Sequence, residues 1–419
     1  MNVGLVHQPD FGQRLKRLRR KRGLSQRDVA GDAVNPSYIS LLESGARVPT
    51  LEVVVQLAEA LGVSTDALVG AGLPARNATD GAQEASRLVN QLIARSSLDY
   101  GDLPEAEARY EQAYRAARDG GPAVRALEYG LALQEILGAR GRPQERYDLL
   151  GELADQAARS ELPELEVKVE IERASAARDT DRPAEAIEAA ERVRDRITGT
   201  QLEGTSEHVR LLGVLLSVRC EYGELTEVPG LVERILAVAD GIGRDGVRGR
   251  AHWAAGVACA YLGWSERAGE HIRQAKAMLG TPATPLQEWA RFSRAAASTL
   301  LDAGGDLDEV AQYLRVARTA LDMVSLPGED GPIAVLEVRH AVAAGQPARA
   351  VELGEAVTAD LADAERVRLR IALGRAHALL GDTERAVVEL RSAAALAEEL
   401  SQFRLATRVW RELDEVRSR

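Results

Sequence analysis

The chain of 419 residues is 45% hydrophobic and 28% charged, too long for one core and apolar enough to fold throughout, so two or more domains are expected. Aromatic residues make up only 4% while Ala and Leu dominate, which excludes a β-sandwich or barrel and points to an all-α protein. A net charge of −11 excludes a chain that coats nucleic acid along its length, and two cysteines, Cys220 and Cys259, cannot build a disulfide framework.

The first ten residues lack a basic stretch followed by an apolar one, and no run of about 18 apolar residues occurs. The expectation is a cytoplasmic protein with no membrane partner. Lysine occurs at only four positions (16, 21, 168 and 276), and the other 49 cations are Arg. That is the usage of a GC-rich bacterial genome, and it lowers the weight of any single surface Arg.

Charge is unevenly placed. Residues 1–72 carry nine basic against seven acidic groups, a net of +2, and the remainder carries −13. Arg14, Lys16, Arg17, Arg19, Arg20, Lys21 and Arg22 form a run without a single acid. A basic head on an acidic body means that only the head suits a polyanion, although a solvated helix face has the same charge pattern.

Five short helices are expected in the head. The first, 11–22, carries Phe11, Leu15 and Leu18 on one side and stops at Gly23. Ser25 and Asp28 have capping-box spacing and open a second helix over 26–33. Asn35 caps a third, with Pro36 at its first position, where the missing N–H costs nothing. Ile39 and Leu42 turn inward there, and Ser37, Ser40, Leu41 and Ser44 form the outward face. Thr50 opens a fourth helix to Leu61, and a short fifth ends near Val69. Residues 73–82 read as a linker, dividing a head over 1–72 from a second domain over 83–419.

The string LSQRDVAGDAVNPSYISLLESGARVPTLEVVVQLAEALGVSTDAL resembles the Cro/cI-type (XRE) helix-turn-helix domain of bacterial and phage repressors, over roughly residues 11–70. The resemblance implies that the third helix enters the major groove while the second crosses the backbone. It implies a phosphate contact from Gln26, with Arg27 beside it. Base-edge positions would be Pro36, Ser37 and Leu41, with Asn35, Ser44 and Arg47 near phosphates and Ser40 on the same DNA-binding face. It also implies an ion pair between Arg19 and Glu43 that ties the first helix to the third. The turn Ala33-Val34-Asn35 is one residue shorter than the family's usual form. No Arg or Lys stands where it would read guanine, so specificity is expected to lean on DNA shape and dimer spacing.

Beyond residue 83 long amphipathic helices are broken at Gly101, Gly141, Asp181, Gly223, Gly263, Gly305, Gly345 and Gly381, at intervals of 36 to 42 residues. Fixed spacing of this size marks a helical solenoid. Small or apolar residues recur five, nine and twelve positions after most turns, as at Ala268, Ile272 and Ala275. The pattern resembles tetratricopeptide (TPR) repeats with lengthened helices: eight helix pairs and a capping helix over 402–417. The second unit departs from it with Arg146 at the usual Ala, and the fourth with Val228-Pro229-Gly230, expected to interrupt its second helix.

Catalytic and metal patterns do not emerge. Gly241 to Gly246 matches G-x-G-x-x-G but follows no strand, and reads as a loop between repeats. The six histidines form no ligand-spaced cluster, and the cysteines read as small buried hydrophobes. No enzyme, cofactor or metal is expected.

A helix-turn-helix head fused to a TPR solenoid resembles the cytoplasmic peptide-sensing, quorum-sensing regulators of bacteria. It implies a homodimer on a double-stranded DNA operator, controlled by a short peptide or small-molecule effector. Such receptors clamp peptide backbones with asparagines, and this chain has none after Asn90. The alternative is a regulator whose solenoid docks a protein partner or mediates oligomerisation without a small ligand. If the first helix of each pair lines a concave face, Lys168, Arg210, Arg250, Arg339, Arg368 and Arg375 would give a cationic groove with Trp253 and Phe292 as apolar anchors. An acidic or carboxylate-ended ligand is then expected.

Overall fold

The computed structural model describes residues 10–30, 34–47, 49–63, 65, 68, 78–99, 101–222, 225–324, 328–357 and 361–418. Among the described residues there are 21 α-helices, one short 3₁₀ turn and no strand. The chain forms two compact units, residues 1–88 and 89–419.

The head begins with α1 (Asp10–Lys21), α2 (Gln26–Ala30), α3 (Pro36–Glu43) and α4 (Leu51–Leu61). The expected fifth helix lies largely outside the described residues, as does the turn at 31–33. Local chemistry sets each boundary. Gly23 ends α1 in the left-handed region at φ 69°. Ser25 and Asp28 close the capping box reciprocally, amide to carboxylate at 2.7 Å and amide to hydroxyl at 3.1 Å. Those bonds hold the Asp28 carboxyl below its ordinary pKa. The Asn35 Oδ1 accepts from the Ser37 amide at 2.9 Å, and the Thr50 hydroxyl accepts from Val53.

Phe11, Leu15, Ile39, Leu42, Leu57 and Leu61 are fully buried and make the head's core. Each contributes on the order of 1.5–3 kcal/mol by leaving water. The close approach of α1 to the end of α3 depends on Gly12, where a Cβ would stand 2.3 Å from the Leu42 carbonyl oxygen.

The expected linker is helical from Ala78, within α5 (Ala78–Asp99), and residues 73–77 lie outside the described residues. Helix α5 meets α6 (Leu103–Gly120) through Ala94, which shares a buried cluster with Ala106 and Tyr110. Seven further pairs follow: α7 (Ala123–Ala139) with α8 (Pro143–Arg159), α9 (Pro163–Asp179) with α10 (Pro183–Arg196), and α11 (Ser206–Tyr222) with α12 (Val228–Ile242). Next come α13 (Asp245–Tyr261) with α14 (Ser265–Leu279), α15 (Leu286–Asp302) with α16 (Leu307–Met323), and α17 (Asp330–Ala343) with α18 (Pro347–Glu355). Helix α19 (Asp363–Leu379) pairs with α20 (Thr383–Glu399), and α21 (Phe403–Arg417) caps the end. Eight pairs and a cap are what the turn spacing predicts.

From α9 to α19, successive first helices pack directly on one another, while contacts between successive second helices are sparser. A stack that is tighter along one row of helices curves toward it, so the first helices line the inner face. Most turns carry one residue in the left-handed region: Gly101, Gly141, Asp181, Gly263, Gly304, Gly345 and Gly381. In the sixth unit that residue is Gly304 and not Gly305, and Gly223 lies outside the described residues.

Three local expectations are refined. Pro229 does not interrupt a helix but stands in the first turn of α12, where no backbone donor is required. Gly241–Gly246 is no loose loop: it ends α12, turns at Gly243 with φ 70°, and starts α13. Arg146, the misfit of the second unit, is buried and satisfied by Gln134, Glu172 and Asp179. Cys220 and Cys259 are buried core residues, and burial pushes the Cys220 thiol up to about 12, which removes thiolate reactivity.

Candidate nucleic-acid interface and solenoid inner face

Helix α3 presents the face expected for DNA. Asn35, Pro36, Ser37, Ser40, Leu41, Ser44 and Arg47 are all exposed, while Ile39 and Leu42 anchor the opposite side in the core. Leu41 keeps 42% of its surface open, high for a leucine on a short helix, and it stands among serines. Such a face offers small hydroxyl donors and one apolar contact, chemistry suited to thymine methyls and permissive elsewhere.

The orientation of α3 is fixed from beneath. Arg19 grips Glu43 with both arms of its guanidinium, Nε to Oε1 at 2.5 Å and Nη2 to Oε2 at 3.0 Å, and its third nitrogen donates to the Leu24 carbonyl. Burial alone would raise the Glu43 carboxyl, but the bonds from Arg19 and Gln26 outweigh it and hold the group below its ordinary value. The same bond raises Arg19.

Gln26 enters this arrangement unforeseen by sequence. Its Nε2 donates to Glu43 Oε2 at 2.8 Å, which leaves one N–H of the same amide for a phosphate. Arg27, beside it, is exposed.

The basic run on α1 divides by task. Arg14 donates to the Leu68 carbonyl, Arg19 holds Glu43, and Arg22 donates to the Gly62 carbonyl, so three of the seven cations tie the head together. Lys16, Arg17, Arg20 and Lys21 are exposed. The run therefore has both of the meanings that its charge permits.

In the solenoid, the cations expected to line a groove are each engaged by a carboxylate of the chain. Arg210 reaches Glu172 at 2.6 Å and Lys168 reaches both Glu172 and Glu207 at 2.8 Å. Arg250 holds Glu288 bidentately at 2.5 and 2.6 Å, and Arg375 holds Glu412 at 2.6 and 2.9 Å. Arg339 reaches Asp302 at 2.5 Å, and Arg368 pairs with Glu365 on its own helix. Lys168–Glu172 and Arg368–Glu365 lie within one helix; the others join neighbouring first helices, or the last of them to the cap, with partners 37 to 39 residues apart, one repeat length. The cationic groove is in fact a ladder of ion pairs stapling repeat to repeat.

Phe292 is a correction. It is 0% exposed, packed edge-on against Trp253 at 5.7 Å and Tyr313 at 6.0 Å, and tilted on Trp289 at 5.2 Å. It is a core side chain of the fifth and sixth units with no surface to offer a ligand, whereas Trp253 beside it is half-buried. Its place on a first helix could not tell the inner face from the packed seam below it.

Sequence reading missed two groupings. Glu172, buried to 2%, accepts from Arg146, Lys168 and Arg210, which belong to three successive repeats. A search for opposite charges one repeat apart would have found one of the three, Arg210. His252 and His271, on α13 and α14, bring their Nδ1 atoms to 3.0 Å, so one ring donates to the other. Among the described residues no group of three or more His, Cys, Asp or Glu could hold a metal, and no helix is long and apolar enough to cross a membrane.

Comparison with known proteins agrees with both units. A helix-turn-helix domain family matches residues 10–70. An uncharacterized HTH-type transcriptional regulator, y4dJ of Sinorhizobium fredii, is 46% identical over 59 residues, covering 14% of this chain and 77% of its own. Among solved structures, a Rap protein complexed with competence and sporulation factor shares the fold at a TM-score of 0.52 and 14% identity, over 80% of this chain and 98% of its own. The apo form of RapI aligns at a TM-score of 0.50 and 9% identity, over 97% and 98%.

Proposed function

Because this chain belongs to the helix-turn-helix transcriptional regulators, DNA-binding proteins and not enzymes, we propose that it binds its operator as a homodimer through α3, and that the solenoid takes an effector on its inner face. The carrying observation is the exposed Ser/Leu face of α3, held from beneath by the bidentate Arg19–Glu43 pair. Gln26, Arg27, Asn35, Ser44 and Arg47 contact phosphates, and Pro36, Ser37, Ser40 and Leu41 meet base edges.

Support for an effector comes from the solenoid. A stack joined only by neighbour contacts changes curvature when a bound molecule bridges several repeats, and a dimer converts that change into half-site spacing. A protein of this fold has been solved with competence and sporulation factor. A short peptide or small molecule is accordingly the effector class.

A second reading has its own observation. Helix α5 exposes Leu88, Val89, Leu92 and Ile93 within six residues, a density of open apolar side chains that suits a protein partner or a second copy.

Genomic fragments shifted by the purified chain, with and without an extract of the source cells' spent medium, test the proposal. A shift that the extract's small-molecule fraction strengthens or abolishes supports effector control. A shift altered only by its protein fraction favours the second reading. No shift at all refutes operator binding. Light scattering that gives a 45 kDa species on and off DNA refutes the dimer.

A further inference from the structure

With every expected cation of the inner face paired, acids are left without a bonded partner among the described residues. Glu221, near the end of α11, is half-buried and has no hydrogen bond or ion pair to any described residue. It stands two residues before its turn, the position held by Asp179 in the repeat before and by Tyr261 and Asp302 in the two after. Helices packed side by side place these in one row along the inner face.

The charge of Arg368, from α19, reaches both Glu221 and Tyr261, and the charge of Arg404, from α21, reaches Cys220 beside them. Tyr261 leaves 39% of its surface open, and its phenol is raised above the ordinary value by burial first and then by the charge of Glu221. Burial likewise raises the Glu221 carboxyl, with Arg368 the largest opposing charge.

The cations nearby do not neutralise Glu221. Arg368 is held by Glu365, and Arg178 donates twice to Asp179. Asp302 is taken by Arg339. An unpaired carboxylate beside an open phenol ring, in a space crowded enough to resist ionisation, lacks one component: a cation from outside.

We propose that the inner face binds its effector through a positively charged nitrogen, an ammonium or guanidinium, seated between the Glu221 carboxylate and the Tyr261 ring. This rests on the effector reading above and reverses the polarity expected of the first-helix cations, since that set is consumed by the ladder. The carboxylate supplies a charge-assisted hydrogen bond and the ring a cation–π contact, each stronger where water is scarce. Tyr261 adds its hydroxyl as a second acceptor.

The test uses the full chain and three probes: a pool of C-terminally amidated hexapeptides without Lys, Arg or His; the same pool N-acetylated; and spermidine as a non-peptide amine. Equilibrium dialysis read by mass spectrometry gives retention. The expected result is at least tenfold greater retention of free-amine members than of acetylated ones, or retention of spermidine alone if the source is not a peptide. Glu221→Gln removes the preference, Tyr261→Phe keeps it, and Glu135→Gln, another inner-face acid, leaves it unchanged. Circular dichroism melting of Glu221→Gln matching wild type shows that the loss is not unfolding. Equal retention of acetylated peptides, or full retention by Glu221→Gln, overturns the ammonium site while the effector reading stands. No retention of any probe overturns both.

Discussion

The head and the solenoid each bury one carboxylate among cations, and they use it differently. In the head Glu43 closes a single knot: Arg19 takes both oxygens and Gln26 adds a third bond, all within one small core. In the solenoid Glu172 begins a series, and beyond it the pairs recur one repeat apart as far as Arg375–Glu412. The difference follows from contact range. A compact head has one core, so its knot supports everything. A solenoid has only neighbour contacts, so each pair supports one junction.

The largest expected effect is therefore in the head. Arg19→Ala leaves Glu43, whose side chain is 4% exposed, without its cation, and costs roughly 3–5 kcal/mol. Hydrogen exchange on the full chain should show α1 to α3 losing protection together, with operator binding lost and the solenoid unaffected. Unchanged protection in α3 would mean that the pair is ornamental.

Glu172→Gln comes next, at about 3 kcal/mol, because it strands Arg146 in the interior while Asp179 and Gln134 keep part of its bonding. Here exchange should rise only in α8, α9 and α11, with α19 to α21 as protected as before. Loss of protection along the whole solenoid would show that the stack is more cooperative than neighbour contacts allow.

The same contrast explains what could be read beforehand. The head was legible residue by residue, because its caps and turn residues act over three or four positions: Ser25 with Asp28, Asn35 with Ser37. The solenoid was legible as a period, since turns at Gly101, Gly141 and Gly263 announce themselves. Its charge pairing was not, because Arg250 and Glu288 are 38 residues apart and helix periodicity says nothing about partners at that distance. Phe292 failed for a related reason. On an inner helix, the residues facing the groove and those facing the next repeat are separated by one helical step.

Two smaller effects sharpen the comparison. Gln26→Ala should weaken binding to all DNA sequences about equally in a gel-shift series, since a phosphate contact positions without specifying, and should also loosen Glu43 slightly. A changed sequence preference would place Gln26 against a base. Arg250→Ala, with 51% of its side chain exposed, should lower stability by less than about 1 kcal/mol despite its bidentate geometry. A loss comparable to that of Arg19→Ala would make the ladder, and not the packing of small residues, the main support of the stack.

The smallest expected effect is a pH dependence seated in the fourth and fifth repeats. His252 and His271 share one proton between facing Nδ1 atoms, and both rings are held below their ordinary pKa, by burial first and, for His271, by the neighbouring ring. The groups around them are mixed: Asp240 from α12, Arg248 from α13, and Arg267 and Glu270 from α14. Among the described residues no carboxylate is bonded to either ring to offset a second proton. The unfolded chain takes up protons near the ordinary histidine value of about 6.5, while the folded pair resists. Stability from this pair is therefore complete above that pH and falls as pH drops through it. His208, buried and also depressed, adds to the slope from the fourth repeat. Melting between pH 7.5 and 5.5 should lose stability toward acid, and His271→Asn, which keeps a hydrogen-bonding side chain opposite His252 but removes one titrating ring, should flatten part of that slope. An unaltered slope in the variant would leave His208 as the source and reduce the histidine pair to a neutral packing contact.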